Sequence, residues 1–306
     1  ARIATSGATL VHLRRAGSDL VIPFDAEASL PEGWQGKTLV PWPNRIVGAR
    51  YAYRGQEYPV PCNEPETGSA LHGLVGWADF QVVATSAGDD AVGDAPSSVA
   101  LELTLPGSYA YPWSLQVDVR FALDARAGLT VAATTTCLGA GAPAAPDAVG
   151  APESDGLLAP APYGVSFHPY LTRSVPLDEC VLQVPAARVL DVDERMAPAA
   201  ERDVAGTDWD WRAGRPVGTI STDNAYTGLP QGPWEVRLTG GEAGSTVVLS
   251  AEAPWVQVYT AEHLGRRGVA VEPMTCPPDA FNSGRDLVEL EVGRSHSFSY
   301  SLREDD

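Results

Sequence analysis

The stretch that decides the fold is Leu115-Gln116-Val117-Asp118-Val119-Arg120-Phe121-Ala122-Leu123. Its odd-numbered positions are all apolar, whereas Gln116, Asp118 and Arg120 occupy even positions between them. Successive side chains of a β-strand point to opposite faces, so this alternation predicts a half-buried strand. No segment of the chain shows convincing helical periodicity with caps at its ends.

The same period of two recurs along the chain. Clusters of Gly, Pro, Asn and Asp separate the alternating runs, as expected for hairpins and loops. The pattern predicts an all-β protein with few helices, built as a large antiparallel sandwich or barrel. The runs are Thr9–Leu13, Leu20–Phe24, Val99–Leu105, Leu129–Leu138, Val181–Val184, Trp234–Leu238, Val247–Leu249, Trp255–Tyr259 and His296–Leu302.

Length and composition indicate one globular, turn-rich domain. The 306 residues are 44% hydrophobic and include 30 Gly and 26 Pro. All-β sandwiches of this size commonly form one unit, so we expect a single domain over residues 1–306. Two segments rich in Ala, Gly, Pro and Asp, 87–98 and 139–161, bury too little apolar surface to fold alone. We expect surface insertions there, with a flexible loop at about 139–161 rather than an interdomain linker.

The charge balance excludes several classes of partner. Lys and Arg number 21 against 39 Asp and Glu, a net charge of −18. A field of that sign repels nucleic acid and anionic membranes and favours an uncharged small molecule as partner. The four cysteines show no CxxC spacing, and no run of apolar residues is long enough to span a membrane. We expect a cytoplasmic monomer or homodimer.

Five short polar segments interrupt the strand pattern and are the candidate site. Walker A, GxSxG and HExxH signatures are absent from the sequence, which disfavours phosphate cradles and serine hydrolases. The segments are Pro41–Ile46, Leu71–Gly73, Gly164–Tyr170, Asp223–Tyr226 and Val271–Asn282.

Two of the five histidines, His72 and His168, lie in these segments. An imidazole bounded by Gly and Pro can act as acid, base or hydrogen-bond donor, and the alternative is a structural histidine. No second His or Cys lies at ligand spacing from either one, so no metal site is predicted.

A carboxylate and an arginine provide further candidates. Glu272 follows the apolar run Gly268–Val271, where shielding from water raises a carboxyl pKa, although a strand-end charge reaching solvent is equally consistent. Arg45 has a planar fork suited to bidentate hydrogen bonds, and Asp223 can accept hydroxyl protons. The alternatives for these two are surface charges or a structural ion pair.

Aromatic side chains in the same regions could present flat faces to a sugar. Trp42, Trp77 and Tyr226 are the candidates. Aromatic residues of β-proteins more often belong to the core, so both interpretations stay open.

Taken together, the segments resemble the aldose 1-epimerase (galactose mutarotase) family. The resemblance rests on five motifs in the family's order across residues 44–280. They are Asn44-Arg45, Leu71-His72-Gly73, His168-Pro169-Tyr170, Asp223-Asn224-Ala225-Tyr226 and Glu272-Pro273 followed by Pro278-Asp279-Ala280.

The resemblance implies an antiparallel galactose mutarotase-like supersandwich that interconverts the α and β anomers of a free hexose. Such an enzyme needs a base for the C1 hydroxyl and an acid for the ring oxygen. It implies Glu272 as base and His168 as acid, with no metal and no other cofactor. The substrate-binding residues would be Asn44, Arg45, His72, Trp77, Asp223 and Tyr226.

The residues next to His168 and Glu272 in their two motifs resemble those of a bacterial side branch of the family. Here Phe167 precedes His168, and Met274 follows Glu272-Pro273, unlike the best known galactose-type members. The sugar therefore stays open. Three alternatives remain: a non-catalytic carbohydrate-binding β-sandwich, an epimerase for an anionic (phosphorylated or sulfonated) sugar, and a glycosidase using Glu272 with Asp223.

Overall fold

The computed structural model describes residues 1–87, 97–140, 159–240 and 244–305. Most of the predicted insertions at 87–98 and 139–161 therefore lies outside the described residues.

The strands are short near the N-terminus and long in the middle and at the C-terminus. In chain order they are β1 (Arg2–Ala4), β2 (Thr9–His12), β3 (Arg14–Arg15), β4 (Ser18–Asp19), β5 (Thr38–Leu39), β6 (Arg45–Ile46), β7 (Arg50–Tyr53), β8 (Gln56–Pro59), β9 (Ala70–Leu71), β10 (Gln81–Ser86), β11 (Ser97–Leu105), β12 (Trp113–Asp124), β13 (Gly128–Ala140), β14 (Ala161–Tyr163), β15 (Ser166–Phe167), β16 (Tyr170–Leu171), β17 (Val181–Gln183), β18 (Arg188–Val192), β19 (Pro198–Asp203), β20 (Arg215–Pro216), β21 (Asp223–Thr227), β22 (Trp234–Thr239), β23 (Thr246–Ala251), β24 (Trp255–Tyr259), β25 (Val269–Met274), β26 (Val288–Leu290) and β27 (Ser295–Asp305).

Helical structure is limited to single turns in the described residues. One α-helical turn, α1, spans Ala280–Ser283. The 3₁₀ turns are Glu32–Trp34, Val47–Ala49, Leu177–Glu179 and Glu262–Leu264. None of these helices is long and apolar enough to cross a membrane.

Two large antiparallel sheets dominate the described part of the chain. One has nine strands in the order β10-β11-β12-β13-β27-β23-β22-β17-β20. The other has eight, in the order β19-β18-β21-β24-β25-β15-β5 with β16 also paired to β25. The all-β antiparallel sandwich expected from the sequence is confirmed.

The alternating stretch Leu115–Leu123 forms part of strand β12, as its sequence predicts. Leu115, Val117, Val119 and Phe121 of β12 are buried, and the polar residues between them are partly or fully exposed. Strands β11 and β13 flank β12 with long antiparallel registers, so its backbone is hydrogen-bonded on both edges.

One prediction is wrong: Leu20–Phe24 is not a strand. Only Val21 makes an isolated bridge there, because Pro23 has no N–H to continue a ladder.

The main core lies between the two sheets. Phe167 of β15 contacts Phe298 and Tyr300 of β27, with ring centroids 6.0 and 4.9 Å apart. Val256 and Val271, on β24 and β25, belong to the same buried cluster. Alternation along each strand therefore turns the neighbouring residues of β15, β24 and β25 to the outer face of the eight-stranded sheet.

Two small apolar clusters occupy that outer face. The first contains Leu190, Ala225, Trp255 and Met274. The second contains Ile22, Tyr170, Ala261, Leu264 and Ala270. Polar side chains lie between them.

Candidate active site

A row of polar residues crosses the outer face of the eight-stranded sheet. Gln257 of β24 pairs with Glu272 of β25. The β25 register continues through Ser166–Met274 and Tyr170–Ala270, which sets His168 directly across from Glu272. Directly opposed residues share a face and lie close together in antiparallel sheets. The ladder therefore brings together two motifs that are about a hundred residues apart in the sequence.

His168 and Glu272 form a buried pair at the centre of this row. The His168 Nε2 atom lies 3.2 Å from Oε1 of Glu272, and the two side chains are 5% and 3% exposed. The second nitrogen of His168, Nδ1, and the second oxygen of Glu272, Oε2, have no hydrogen-bond partner among the described residues. Both groups thus retain an unused polar atom.

Burial sets the protonation of the pair. Desolvation lowers the pKa of His168, to about 3. Desolvation first, and then the charge of Asp223, raises the pKa of Glu272 well above its usual value, although Arg45 opposes this. Desolvation is the largest influence on the pKa of the His168 imidazole in the free protein. The pair therefore shares one titratable proton. Burial favours its uncharged form, in which His168 is neutral and Glu272 is protonated.

His72 lies beside His168, and its backbone neighbour fixes its orientation. The two rings meet edge to face with centroids 5.1 Å apart. The N–H of Asn44 donates to Nδ1 of His72 over 3.2 Å, while the His72 N–H donates to the Asn44 carbonyl over 2.8 Å. Burial, then the charges of His168 and Arg45, lower the pKa of His72 well below its usual range. The ring is therefore neutral, with its proton on Nε2 as a fixed donor.

Arg45 is held by a carboxylate that the sequence did not single out. Its Nε and Nη2 atoms donate to the two carboxylate oxygens of Glu64 over 2.6 and 2.7 Å, and the Thr67 hydroxyl also donates to Glu64. Oδ1 of Asn44 accepts from the Arg45 backbone N–H over 2.9 Å and from Nη1 over 3.4 Å. An ion pair was the structural alternative for Arg45, and Arg45 does form one, with Glu64 instead of an aspartate.

Asp223 is held by Gln257. The Gln257 amide donates to Oδ1 of Asp223 over 2.7 Å, and Oε1 of Gln257 has no partner among the described residues. Desolvation raises the pKa of Asp223, while Arg45 and Gln257 act against the shift. Gln257 was missed by the motif analysis. Its signal was a polar residue at the centre of the apolar run Trp255–Tyr259.

Two tryptophans extend outward from His72. The ring of Trp34 lies 5.1 Å from that of His72 and 5.3 Å from that of Trp77. Trp77 is 46% exposed. The Nζ atom of Lys37 lies 4.2 Å from the centroid of Trp77 and donates to the Ser6 carbonyl over 3.1 Å. Trp77 thus lies at the rim, one ring removed from His72.

The structure does not bring Tyr226 to the site. Its ring is buried in the main core, and its hydroxyl is hydrogen-bonded to Thr222 and to the Trp211 indole. Asp223 and Tyr226 are three positions apart on β21, so alternation points them to opposite faces. Trp42 is likewise a core residue whose indole donates to the Ala70 carbonyl.

The tertiary structure also creates a set of metal-ligating atoms that sequence spacing did not reveal. His72, His168 and Glu272 each offer one ligand atom, and these atoms lie within 4.8 Å of one another. Sequence spacing offered no second ligand beside either histidine, whereas folding brings side chains from distant segments within this distance.

Comparison with solved structures places the fold among sugar epimerase homologues. A GalM/aldose epimerase homologue from C. elegans is 20% identical with a TM-score of 0.80, covering 99% of this chain and 94% of that one. A galactose 1-epimerase from Lactobacillus acidophilus is 17% identical with a TM-score of 0.79, covering 99% and 91%. At these identities the likeness concerns the fold alone.

Sequence comparison gives the family. The uncharacterized protein YihR of Escherichia coli (strain K12) is 38% identical over 303 residues, which cover 99% of this chain and 89% of YihR. The family model described as aldose 1-epimerase matches residues 1–144 and 152–303. The match spans nearly the whole chain. The chain belongs to the aldose 1-epimerase family.

Proposed function

We propose that this protein is a mutarotase that interconverts the α and β anomers of a free hexose. The observation that carries the proposal is the buried His168–Glu272 pair, with Nε2 and Oε1 separated by 3.2 Å. Ring opening requires one proton acceptor and one proton donor at the same C1–O5 unit. A pair that shares one proton contains one of each.

The chemistry follows from the two groups. Transfer of the shared proton from Glu272 to His168, whose Nε2 lies 3.2 Å from Oε1, first gives the reactive form of the pair. The Glu272 carboxylate then removes the proton from the C1 hydroxyl while protonated His168 donates a proton to the ring oxygen, and the C1–O5 bond breaks to give the open-chain aldehyde. Rotation about C1–C2 presents the other face of the carbonyl. The reverse transfers then close the ring as the other anomer and restore both groups. No net proton is consumed.

The surrounding residues are suited to bind a polyol. Neutral His72 offers a fixed N–H donor, and the unpartnered Oε1 of Gln257 offers an acceptor. Asp223 and Arg45 are each held by a neighbour, Gln257 and Glu64 respectively. Buried polar atoms are nearly always hydrogen-bonded, so the unpartnered atoms of this face mark where sugar hydroxyls would bind. Asn44 acts indirectly, by orienting His72 and Arg45.

The local charge favours a neutral hexose. The charge of Arg45 is engaged by Glu64, and the carboxyl groups of Asp223 and Glu272 lie near it. An anionic sugar would meet this surplus of carboxyl groups. We therefore place the neutral substrate first.

One observation favours the anionic-sugar alternative. Lys37 is buried, and no carboxylate among the described ranges lies within ion-pair distance of its ammonium group. Its charge lies beneath the exposed ring of Trp77, at the rim of the site. If anionic aldoses are the substrates, Lys37→Met will lower kcat/KM for them more than for neutral aldoses.

Anomer exchange tests the proposal directly. We expect the protein to accelerate the approach of freshly dissolved α-D-glucose or α-D-galactose to its equilibrium optical rotation. A panel of neutral and acidic aldoses, followed by polarimetry or NMR, identifies the substrate class. Glu272→Gln should lower the rate by about 10² to 10⁴, the usual effect of losing a general base.

A matched control is Glu291→Gln, because the side chain of Glu291 is 70% exposed and forms only a long contact to Arg294. Its rate should equal that of the wild type. A folded wild-type protein that leaves every aldose of the panel at its spontaneous rate would contradict the proposal. Sugar binding without exchange would instead indicate a carbohydrate-binding protein.

A further inference from the structure

We propose that Trp34 forms an aromatic wall of the sugar site, against which the C–H face of the bound hexose packs. Because the sugar must lie on the row of polar side chains, this role of Trp34 rests on the proposed function. Polar groups bind the hydroxyls of a hexose, but its ring also carries apolar C–H surface, and small-molecule sites combine a few polar groups with apolar and aromatic walls. Trp34 lies outside the five motif segments of the sequence.

Two kinds of contact place Trp34 at the edge of the polar row. Its ring lies 5.1 Å from that of His72, at an interplanar angle of 64°. Just beyond Trp34, the Gly36 N–H donates to the His168 carbonyl over 2.9 Å, and the His168 N–H donates to the Lys37 carbonyl over 3.0 Å. The chain that carries Trp34 is thus hydrogen-bonded to the backbone of the proposed catalytic acid.

The backbone at Trp34 is strained, and its surroundings hold it in place. Gly33 and Trp34 have φ values of +57 and +64. A positive φ is an outlier for a bulky side chain, and such strain persists where the surrounding structure over-determines it, most often at functional sites. Here the Tyr170 hydroxyl donates to the Gly33 carbonyl over 2.6 Å, and the His263 ring leaves no room for a Cβ on Gly33. These contacts fix the conformation that sets Trp34 beside the polar row.

Other aromatic side chains nearby are buried, stacked or farther away. Tyr170 is only 2% exposed. Tyr259 is stacked on His263, with centroids 5.4 Å apart and an interplanar angle of 4°. Trp77 lies one ring farther out, 5.3 Å from Trp34. Trp34 is itself partly exposed, so it combines free aromatic surface with direct contact to the row.

Gly76 provides a way to displace the Trp34 ring without removing it. A Cβ on Gly76 would lie 2.6 Å from Cζ3 of Trp34, and its nearest neighbour outside that ring, the Thr38 carbonyl oxygen, is 3.9 Å away. The φ of Gly76 lies outside the left-handed region, so alanine can adopt the same backbone conformation. Gly76→Ala should therefore raise KM for the sugar. In Trp34→Leu no ring remains to be displaced, so adding Gly76→Ala to that variant should change KM little, and the two substitutions should be non-additive.

Kinetics of tryptophan variants test the wall with the aldose that the wild type exchanges fastest. Trp34→Leu should raise KM by about threefold to tenfold, the usual range for an aromatic contact, and should change kcat less. Trp34→Phe keeps a flat face and should recover most of this loss, and Trp77→Leu should have the smaller effect. The matched control is Trp209→Leu, since Trp209 is also partly exposed but stacks with Arg202. An unchanged KM in Trp34→Leu, or a larger loss in Trp77→Leu, would overturn the assignment.

Tryptophan fluorescence gives a measurement that requires no turnover. Each neutral or acidic aldose of the panel is titrated into the full-length protein. We expect a saturable change in the emission of the wild type, lost in Trp34→Leu and kept in Trp209→Leu. An inactive wild type with a change that depends on Trp34 would remove the proposed mutarotase and keep the wall, whereas normal exchange with unchanged KM in Trp34→Leu would do the reverse. Wild-type emission that no aldose alters would also overturn the assignment.

Discussion

At the scale of single residues, the candidate site consists of side chains whose partners restrict them to one chemical role. Asn44 keeps His72 in one tautomer, and Glu64 fixes the orientation of the Arg45 fork. His168 and Glu272 have no such external restraint, and each retains one unpartnered polar atom. Groups that hold the ligand are thus fixed, whereas the groups that exchange protons share a proton only with each other.

The shared proton predicts the pH profile. Burial lowers the pKa of His168 to about 3 and raises that of Glu272 well above 4.5, so the pair keeps one proton over a broad range between these limits. We expect the acid limb of kcat/KM well below pH 6.5, the value for an ordinary histidine. Asp223→Asn removes a charge that raises the pKa of Glu272, so the alkaline limb should move to lower pH. The measurement is kcat/KM against pH with the spontaneous rate subtracted, and an acid limb at 6.5 would contradict the assignment.

Lys37 predicts a pH dependence of stability. Burial lowers its pKa from 10.5 to about 8, so between these values the unfolded chain binds more protons than the folded protein. The free energy of unfolding should therefore rise with pH across that window, relative to Lys37→Met. Other titrating groups are common to both proteins and cancel in the difference. Urea denaturation of the pair at several pH values checks this, and a constant difference would disprove the burial effect.

At the scale of elements, strand register assembles the site and glycine turns position its edges. The β24–β25 ladder sets Gln257 beside Glu272, and the neighbouring register adds His168. A one-residue slip would turn all of these side chains into the core. Gly73 ends the His72 motif at φ +73, in close contact with the backbone of Val40.

A pair of glycines isolates the effect of this close contact. Gly73 and Gly48 have similar φ values, +73 and +69, but a Cβ on Gly73 would lie 2.2 Å from the Val40 carbonyl oxygen, whereas one on Gly48 meets nothing within 4 Å. Both alanine variants carry the left-handed penalty of about 1 to 2 kcal/mol. Gly73→Ala should lose roughly 1 to 3 kcal/mol more through overpacking and should also lower kcat/KM by displacing His72. Equal unfolding free energies for the two variants would show that the contact relaxes without cost.

At the scale of the whole molecule, one continuous core connects the two sheets. The main buried cluster includes residues from Ala8 to Leu302 and draws on both large sheets. The net charge of −18 opposes compaction, and 306 residues provide enough core to overcome it. We propose on this basis that residues 1–306 fold as a single domain.

The single-domain proposal predicts one cooperative unfolding transition. Differential scanning calorimetry should show one peak, with a calorimetric enthalpy equal to the van't Hoff enthalpy. The same midpoint should appear in far-UV circular dichroism and in tryptophan fluorescence. Two resolved transitions would indicate separate folding units.

The sequence by itself determined the fold class, because a period of two is a local property that each strand displays independently. It also supplied the motifs that carry the family resemblance, including Glu272 and His168. It contained the alternation that separates Asp223 from Tyr226, although the motif analysis grouped the two together.

Only the tertiary structure decided which residues meet. Glu64 became the partner of Arg45, Gln257 joined Asp223, and His72 came within ligand distance of His168 and Glu272. These contacts depend on which strands pair and in which register, and pairing is set by the packing of the whole core instead of by local sequence. Desolvation, which sets the protonation of His168 and Glu272, likewise exists only once the chain has folded around them.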